Sequence, residues 1–341
     1  MGSGSGSGGG NGRRASRMLA VMGAAALVVT GCSASGADPE PATSQAAPAA
    51  QSGDGGGART AQPVATTEAD WQPVAQALGR PGTLSDDGLV YRVGFPRNDL
   101  SVRSDDVQIK PGLALGSYAA FSRYPDGTVV MMGDLVVTEA ELPPVTDALQ
   151  AGGVAQTAVH KHLLAHEPQV WWSHIHGAGP DPVAMAQTVR MALNRTSTPP
   201  PAQPGPTPEP ELDTAAIDAA LGAKGSNEGG IYKFSFKRNE AISGAHGVLA
   251  PAMGITTAIN FQPTGGGRAA INGDFAMVAE EVQPVIQALR EGGIEIVEVH
   301  NHSLDDQPRL FYMHFWANDD AGKLAAALGN AVRAHNVSPT G

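Results

Sequence analysis

One cysteine in 341 residues excludes an internal disulfide, and with it the stapled scaffolds and CxxC redox pairs that need two thiols. Basic residues are the minority charge, 22 Lys+Arg against 33 Asp+Glu, for a formal net charge of −11. An acidic body of this kind offers no basic face to nucleic acid or to anionic lipid. Charged residues make up only 16% of the chain while 42% is hydrophobic. Disorder throughout is thereby excluded, and the length suffices for two domains that each bury a core. Also missing are Gly-x-Ser-x-Gly, a Walker loop and His-Glu-x-x-His, which disfavours the hydrolases of those families.

The apolar run from Met18 to Thr30 is too short for a membrane-spanning helix, which needs roughly 20 residues. It follows Arg13, Arg14 and Arg17, and basic-then-apolar is the pattern of an export signal. The next residues, Val29-Thr30-Gly31-Cys32, resemble the bacterial lipobox, whose cysteine is lipidated before the signal peptidase cuts in front of it. The resemblance implies a lipoprotein signal peptide at 1–31 and a lipid anchor, palmitate included, on Cys32. The protein is then expected outside the cytoplasm, held at the cell membrane by acyl chains rather than by its surface. Loss of 1–31 removes three Arg and no acid, taking the net charge from −11 to −14. Residues 32–70 are mostly Ala, Gly, Ser, Pro, Thr and Gln; with so little to bury, they read as a disordered tether.

A constant offset of 140 exposes a duplication. It superposes Phe121 on Phe261, Gly133-Asp134 on Gly273-Asp274, Pro144-Val145 on Pro284-Val285 and Gly152-Gly153 on Gly292-Gly293. It also superposes His160, His162, Pro168 and His174 on His300, His302, Pro308 and His314. An offset of 141 matches Tyr91 and Arg97-Asn98 to Tyr232 and Arg238-Asn239, so a small indel separates the two registers. The units are 71–195 and 212–337, joined by a Pro-rich linker at 196–211 that should be extended and semi-rigid. Each reads as a short helix followed by β-β-β-α-β-β-α, which is an α+β fold with a mostly antiparallel sheet and its helices on one face.

The last two strands of each unit carry the histidines. In a strand, residues two apart share a face, so His-x-His is a strand spacing for two side chains converging on one point. Turns centred on Glu167 and Gln307 would place His160 opposite His174 and His300 opposite His314. Each unit then has a three-histidine face: His160, His162, His174 in the first and His300, His302, His314 in the second. Three neutral imidazoles with an open fourth position suit zinc, and other divalent transition metals also accept nitrogen donors. The same faces carry Trp172 and His176 in one copy, and Glu298, Tyr312 and Trp316 in the other. His176 is a candidate fourth ligand, and Glu298 a candidate ligand or general base. Asp134 and Asp274 are candidates for orienting the imidazoles from behind. They would serve equally as partners of structural histidines, the competing reading, in which apolar neighbours such as Val159, Val299 and Phe315 line a core. His166, His246 and His335 have no histidine counterpart and are expected at the surface. Arg97 and Arg238 suit either a bidentate clamp on an anion or an ion pair at the sheet end. Met131-Met132 reads as core packing.

The elements His300-Asn301-His302, Pro308 and His314-Phe315-Trp316, with His160-Lys161-His162, Pro168 and His174-Ile175-His176 as the first copy, resemble the LppY/LpqO-type lipoproteins of mycobacteria and related bacteria. Lys161 and His176 depart from that pattern in the first copy. The resemblance covers about 71–337 and implies a cell-envelope lipoprotein with no assigned chemistry. Two functions stay open on sequence: a divalent-metal protein with hydrolysis as one outcome, or a non-catalytic envelope protein that binds a carbohydrate, peptide or protein partner.

Overall fold

Val129–Thr138 and Arg268–Met277 are each buried along nine of their ten residues. A strand facing water on one side would alternate, so both of these must be covered on both faces. The computed structural model describes residues 58–202 and 205–340, all within one compact unit, Ser52–Gly341. The expected signal peptide at 1–31, Cys32 and the expected tether as far as residue 57 lie outside the described residues.

The first repeat comprises α1 (Gln72–Leu78), β1 (Tyr91–Pro96), β2 (Gly116–Arg123), β3 (Val129–Thr138), α2 (Leu142–Ala151), β4 (Ala155–His160), β5 (Val170–Gly179) and α3 (Pro182–Leu193). The second repeats the series as α4 (Thr214–Leu221), β6 (Ile231–Arg238), β7 (Thr257–Gly265), β8 (Arg268–Met277), α5 (Ala279–Glu291), β9 (Glu295–His300), β10 (Phe311–Asp320) and α6 (Ala321–Arg333). Strand order is β1-β2-β3-β5-β4 and β6-β7-β8-β10-β9, antiparallel throughout. Short strands extend the β1 and β6 edges. The expected α+β class and element order are therefore present in both copies.

Local chemistry sets the helix ends. Asp181 accepts from the Val183 and Ala184 amides at the start of α3, Asp213 caps α4 and Asp320 caps α6, each satisfying amides that have no partner within the helix. Gly79 and Gly222 end α1 and α4 in the left-handed conformation that glycine adopts without steric cost.

Helices pack on the outer face of each sheet. In the first repeat Val74, Leu78, Val145, Leu149 and Val189 meet Val93, Phe121, Met131 and Ile175. In the second Ile217, Leu221, Leu289 and Leu328 meet Phe234, Phe261, Phe275 and Phe315. The inner faces are buried by the other repeat: Ala120, Tyr124, Val130 and Met132 cluster with Ile242, Leu249, Met253 and Tyr312, and Leu113, Val136 and Trp172 with Ile231, Ala270 and Trp316. The result is four layers, with helices outside and two sheets between them. Met131 and Met132 are core packing, one toward the helices and the other toward the second repeat. Val159 and Val299, expected against a core, are instead 43% exposed, because β4 and β9 are edge strands.

Residues 58–70, expected to belong to a disordered tether, are ordered. The Val64 amide bonds Arg123 O at 2.8 Å, the Val248 amide bonds Ala61 O at 2.8 Å, and Arg59 donates to Asp305 O at 2.9 Å. Residues 58–70 therefore strap both repeats. Backbone hydrogen bonds hold this segment, and a count of its large apolar residues does not register them.

Candidate metal centre

The histidines of the two repeats form one cluster. His160 and His300 stack at 4.0 Å between ring centres, His162 lies 3.7 Å from His314, and His174 lies 3.8 Å from His302. Each contact has its counterpart under the 140-residue correspondence, the signature of an isologous, two-fold interface. The expected separate three-histidine faces are thus corrected to a single centre between the sheets.

Strand register accounts for the arrangement. Ala158, not His160, pairs with His174, and His160 pairs with Trp172; Glu298 pairs with His314 and His300 with Tyr312. The expected register was two residues off in both copies, because the loops at 161–169 and 301–310 are not tight turns. A two-residue shift preserves the face, so the histidines still point inward. His162 and His302 lie just past the strand ends, where His162 stacks on Trp172 and His302 on Tyr312. The ladder β3–β5 sets Asp134 beside His174, and β8–β10 sets Asp274 beside His314.

Backbone carbonyls orient three of the rings. His174 Nδ1 donates to Gly133 O at 3.3 Å, His314 Nδ1 to Gly273 O at 2.7 Å and His302 Nδ1 to Gly254 O at 2.9 Å. A proton fixed on Nδ1 leaves the Nε2 lone pair free, as for a metal-bound imidazole. Those Nε2 atoms, His160 Nδ1, both nitrogens of His300 and one oxygen each of Asp134 and Asp274 are buried with no hydrogen-bond partner. His302 Nε2 does lie 3.0 Å from Asp274 Oδ2, a close approach without hydrogen-bond alignment. Burial first, then repulsion between neighbouring imidazoles, holds His160, His174 and His300 well below the usual histidine range. Burial also depresses His162, and takes His302 and His314 down to about 4. Burial raises Asp274 to about 6. Neutral imidazoles are the ligand form.

Three groups have ligand atoms within 4.8 Å of one another and could hold a metal ion: His160, His162, His314; His160, His174, His300; and Asp274, His300, His302. Neither His176 nor Glu298 belongs to them. Asp305 and His246 are the titratable groups that act on His176, while Glu298 Oε2 accepts the Lys161 amide at 2.7 Å and so ties the repeats together. Nearby, Asn301 donates to Thr157 O at 2.9 Å and Asn272 to His162 O at 2.6 Å.

His166 and His335 are buried, against expectation, and serve structure. The Val170 amide donates to His166 Nε2 at 3.1 Å and Nδ1 donates to Leu163 O at 3.0 Å. His335 bonds Thr257 Oγ1 at 2.8 Å and Ala331 O at 3.1 Å. His246 is half-buried. Arg97 is an ion pair and not an anion clamp, meeting Glu141 at 2.9 Å, Asp99 at 2.8 Å and Val136 O at 2.7 Å. Arg238 repeats this with Glu281, Glu240 and Ala276 O.

A cavity of about 1310 Å³ leads from the cluster to the surface, reaching His162, His174, His302 and His314 at its floor. Arg92, Lys224, Lys233 and Lys237 line it, as do Asp87, Asp134, Glu228 and Asp274. Arg92 and Lys233 occupy matching positions in the two repeats. The Arg92 guanidinium lies over the Tyr118 ring at 3.3 Å, and Lys233 pairs with Glu228 at 3.0 Å.

Residues 72–195 and 215–334 each match the family described as Domain of Unknown Function (DUF1259). The chain belongs to that family. No curated protein matches it. Among solved structures, a trimeric bacterial microcompartment shell protein, PduB, is 12% identical, covering 77% of this chain and 97% of its own at a TM-score of 0.23. A double-ringed trimeric shell protein from the RMM microcompartment is 12% identical, covering 60% and 82% at 0.17. EtuB from Clostridium kluyveri is 10% identical, covering 76% and 93% at 0.21. At such scores the likeness carries no argument about fold or function.

Proposed function

We propose that this protein is a lipid-anchored cell-envelope protein whose six-histidine cluster binds a divalent transition metal, zinc first among the candidates, at the interface of its two repeats. The observation that carries the reading is the set of buried ring nitrogens without partners. An unsatisfied buried polar atom costs on the order of 1–3 kcal/mol, and a metal ion relieves several at once. His166 and His335, whose nitrogens are all bonded, show what structural histidines look like in the same chain.

Around the cavity Arg92, Lys224, Lys233 and Lys237 are matched in number by Asp87, Asp134, Glu228 and Asp274, so the lining by itself does not select a ligand by charge. A metal-bound water at the cavity floor would be a nucleophile at neutral pH, and hydrolysis is the reaction class that fits. Anchoring at the membrane is supported by Val29-Thr30-Gly31-Cys32 and by the resemblance of the His-x-His segments to the LppY/LpqO-type lipoproteins. Among the described residues no helix is long and apolar enough to cross a membrane.

Elemental analysis of protein purified without a histidine tag tests the metal. Bound zinc that is lost when both His160 and His300 are replaced by Ala supports the reading. A folded, metal-free protein that takes up no zinc, cobalt or nickel overturns it, and favours the non-catalytic alternative, binding of a carbohydrate, peptide or protein partner.

A further inference from the structure

We infer that the centre holds two ions, each bound by the His-x-His pair of one repeat together with the remaining histidine of the other. The inference rests on the metal reading above and adds the number of ions and the way the repeats share ligands. His160, His162 and His314 have ligand atoms within 4.8 Å of one another, so the third member comes from the opposite repeat. The 140-residue correspondence turns this set into His300, His302 and His174. In the second set the His174 and His302 rings lie 3.8 Å apart, against 3.7 Å for His162 and His314, and the ligand atoms of His300 and His302 lie within 4.8 Å of each other and of Asp274.

Each set has its own carboxylate. Asp134 Oδ2 is 3.4 Å from His162 Nε2, and Asp274 Oδ2 is 3.0 Å from His302 Nε2. The other oxygen of each carboxylate is buried without a partner. The six histidines thus divide, with none shared, into two groups of three imidazoles, each leaving a fourth position open on a four-coordinate ion, with one carboxylate beside each group. One ion in either set would leave the other's nitrogens unpaired: His174 Nε2, His302 Nε2 and both nitrogens of His300 in one case, His160 Nδ1 and His314 Nε2 in the other. Two ions give one nitrogen of every ring a partner. The two sets meet at the stacked His160 and His300 rings, and the group His160, His174, His300 shows that the sets adjoin. Two divalent ions bring four positive charges against two from Asp134 and Asp274, so the centre keeps a net positive charge for an anion arriving through the cavity.

Native mass spectrometry and elemental analysis of the chain from Ser33 onward, loaded separately with zinc and cobalt(II), test the inference. The wild type is expected to carry two ions. A double variant within one proposed set, His162→Ala with His314→Ala, should retain one ion. A double variant within one repeat, His162→Ala with His174→Ala, disables both sets and should retain none. Gln replacements at the same positions serve where an Ala variant fails to fold, with circular dichroism as the check. One ion in the wild type, abolished by either double variant, overturns the two-ion centre and leaves the metal reading standing. Retention of one ion by the within-repeat variant and none by the within-set variant overturns the exchange of ligands between repeats. Uptake of no metal by the wild type overturns both readings.

Discussion

The imidazole of His160 lies 4.0 Å, centre to centre, from that of His300, its counterpart in the other repeat, with 14° between their planes. No carboxylate or carbonyl satisfies His160 Nδ1 or either nitrogen of His300, and burial keeps both rings neutral. Two uncharged rings placed face to face at the centre of a protein, with lone pairs to spare, form a preorganised set of nitrogen donors.

Metal removal should therefore destabilise the fold. A ligand present at about 1,000 times its Kd adds roughly 4 kcal/mol to stability. Thermal unfolding in excess zinc is expected at a clearly higher midpoint than in chelator, and coincident midpoints would contradict occupancy of the cluster.

Replacing Arg97 or Arg238 by Ala leaves Glu141 or Glu281 without the guanidinium that pairs it. Breaking a buried pair from one side costs about 3–5 kcal/mol. Denaturant titration should show losses of similar size for the two variants, since the networks match residue for residue, and zinc content should be unchanged.

His335 is held at about 4 by burial, below its unfolded value of 6.5. Between these values the unfolded chain binds a proton that the folded chain does not. The contribution of His335 is therefore complete above about pH 6.5 and falls as the pH drops toward 4, by on the order of 3 kcal/mol. The His335→Gln variant should lose less stability than wild type over that interval in paired urea titrations; parallel pH profiles would refute the assignment.

At Gly133 an added Cβ would run into Tyr118 O, and at Gly273 into Ala258 O. Their carbonyls also receive His174 Nδ1 and His314 Nδ1. Gly273→Ala is expected to lower zinc affinity by about 10–100-fold, the usual effect of disturbing a group that orients a ligand. Competition with a chromophoric chelator would measure it, with Gly179→Ala, at the end of β5 where nothing meets the new Cβ, as the control.

Much of this was legible in the sequence because the duplication made it so. The repeat offset located both histidine sets, Asp134 and Asp274, and both sheets, since residues two apart keep their face whatever the register. What escaped were relationships between the copies. Nothing in the spacing of His160, His162 and His174 says that His314 lies nearer to His162 than a sequence-local partner, because that depends on two sheets packing inner face to inner face. His166 and His335 were misplaced for a similar reason. A histidine whose two nitrogens reach Leu163 O and the Val170 amide satisfies itself locally, and no counterpart in the other repeat is needed. Glu298 looked like a ligand or base because it shares the histidine face; its Oε2 accepts the Lys161 amide across the interface, and it belongs to none of the three groups that could hold a metal.

Joining the two halves in one chain has a further effect. A homodimer built on this axis would have to place the same residue on both sides, so any change would be made twice. Here Glu298 stands opposite Ala158 in the correspondence, Asn301 opposite Lys161 and Trp316 opposite His176, and Glu298 and Asn301 each make a bond across the interface that has no mirror image. The covalent link releases the centre from exact symmetry, so its two sides are free to differ in affinity and in what reaches them.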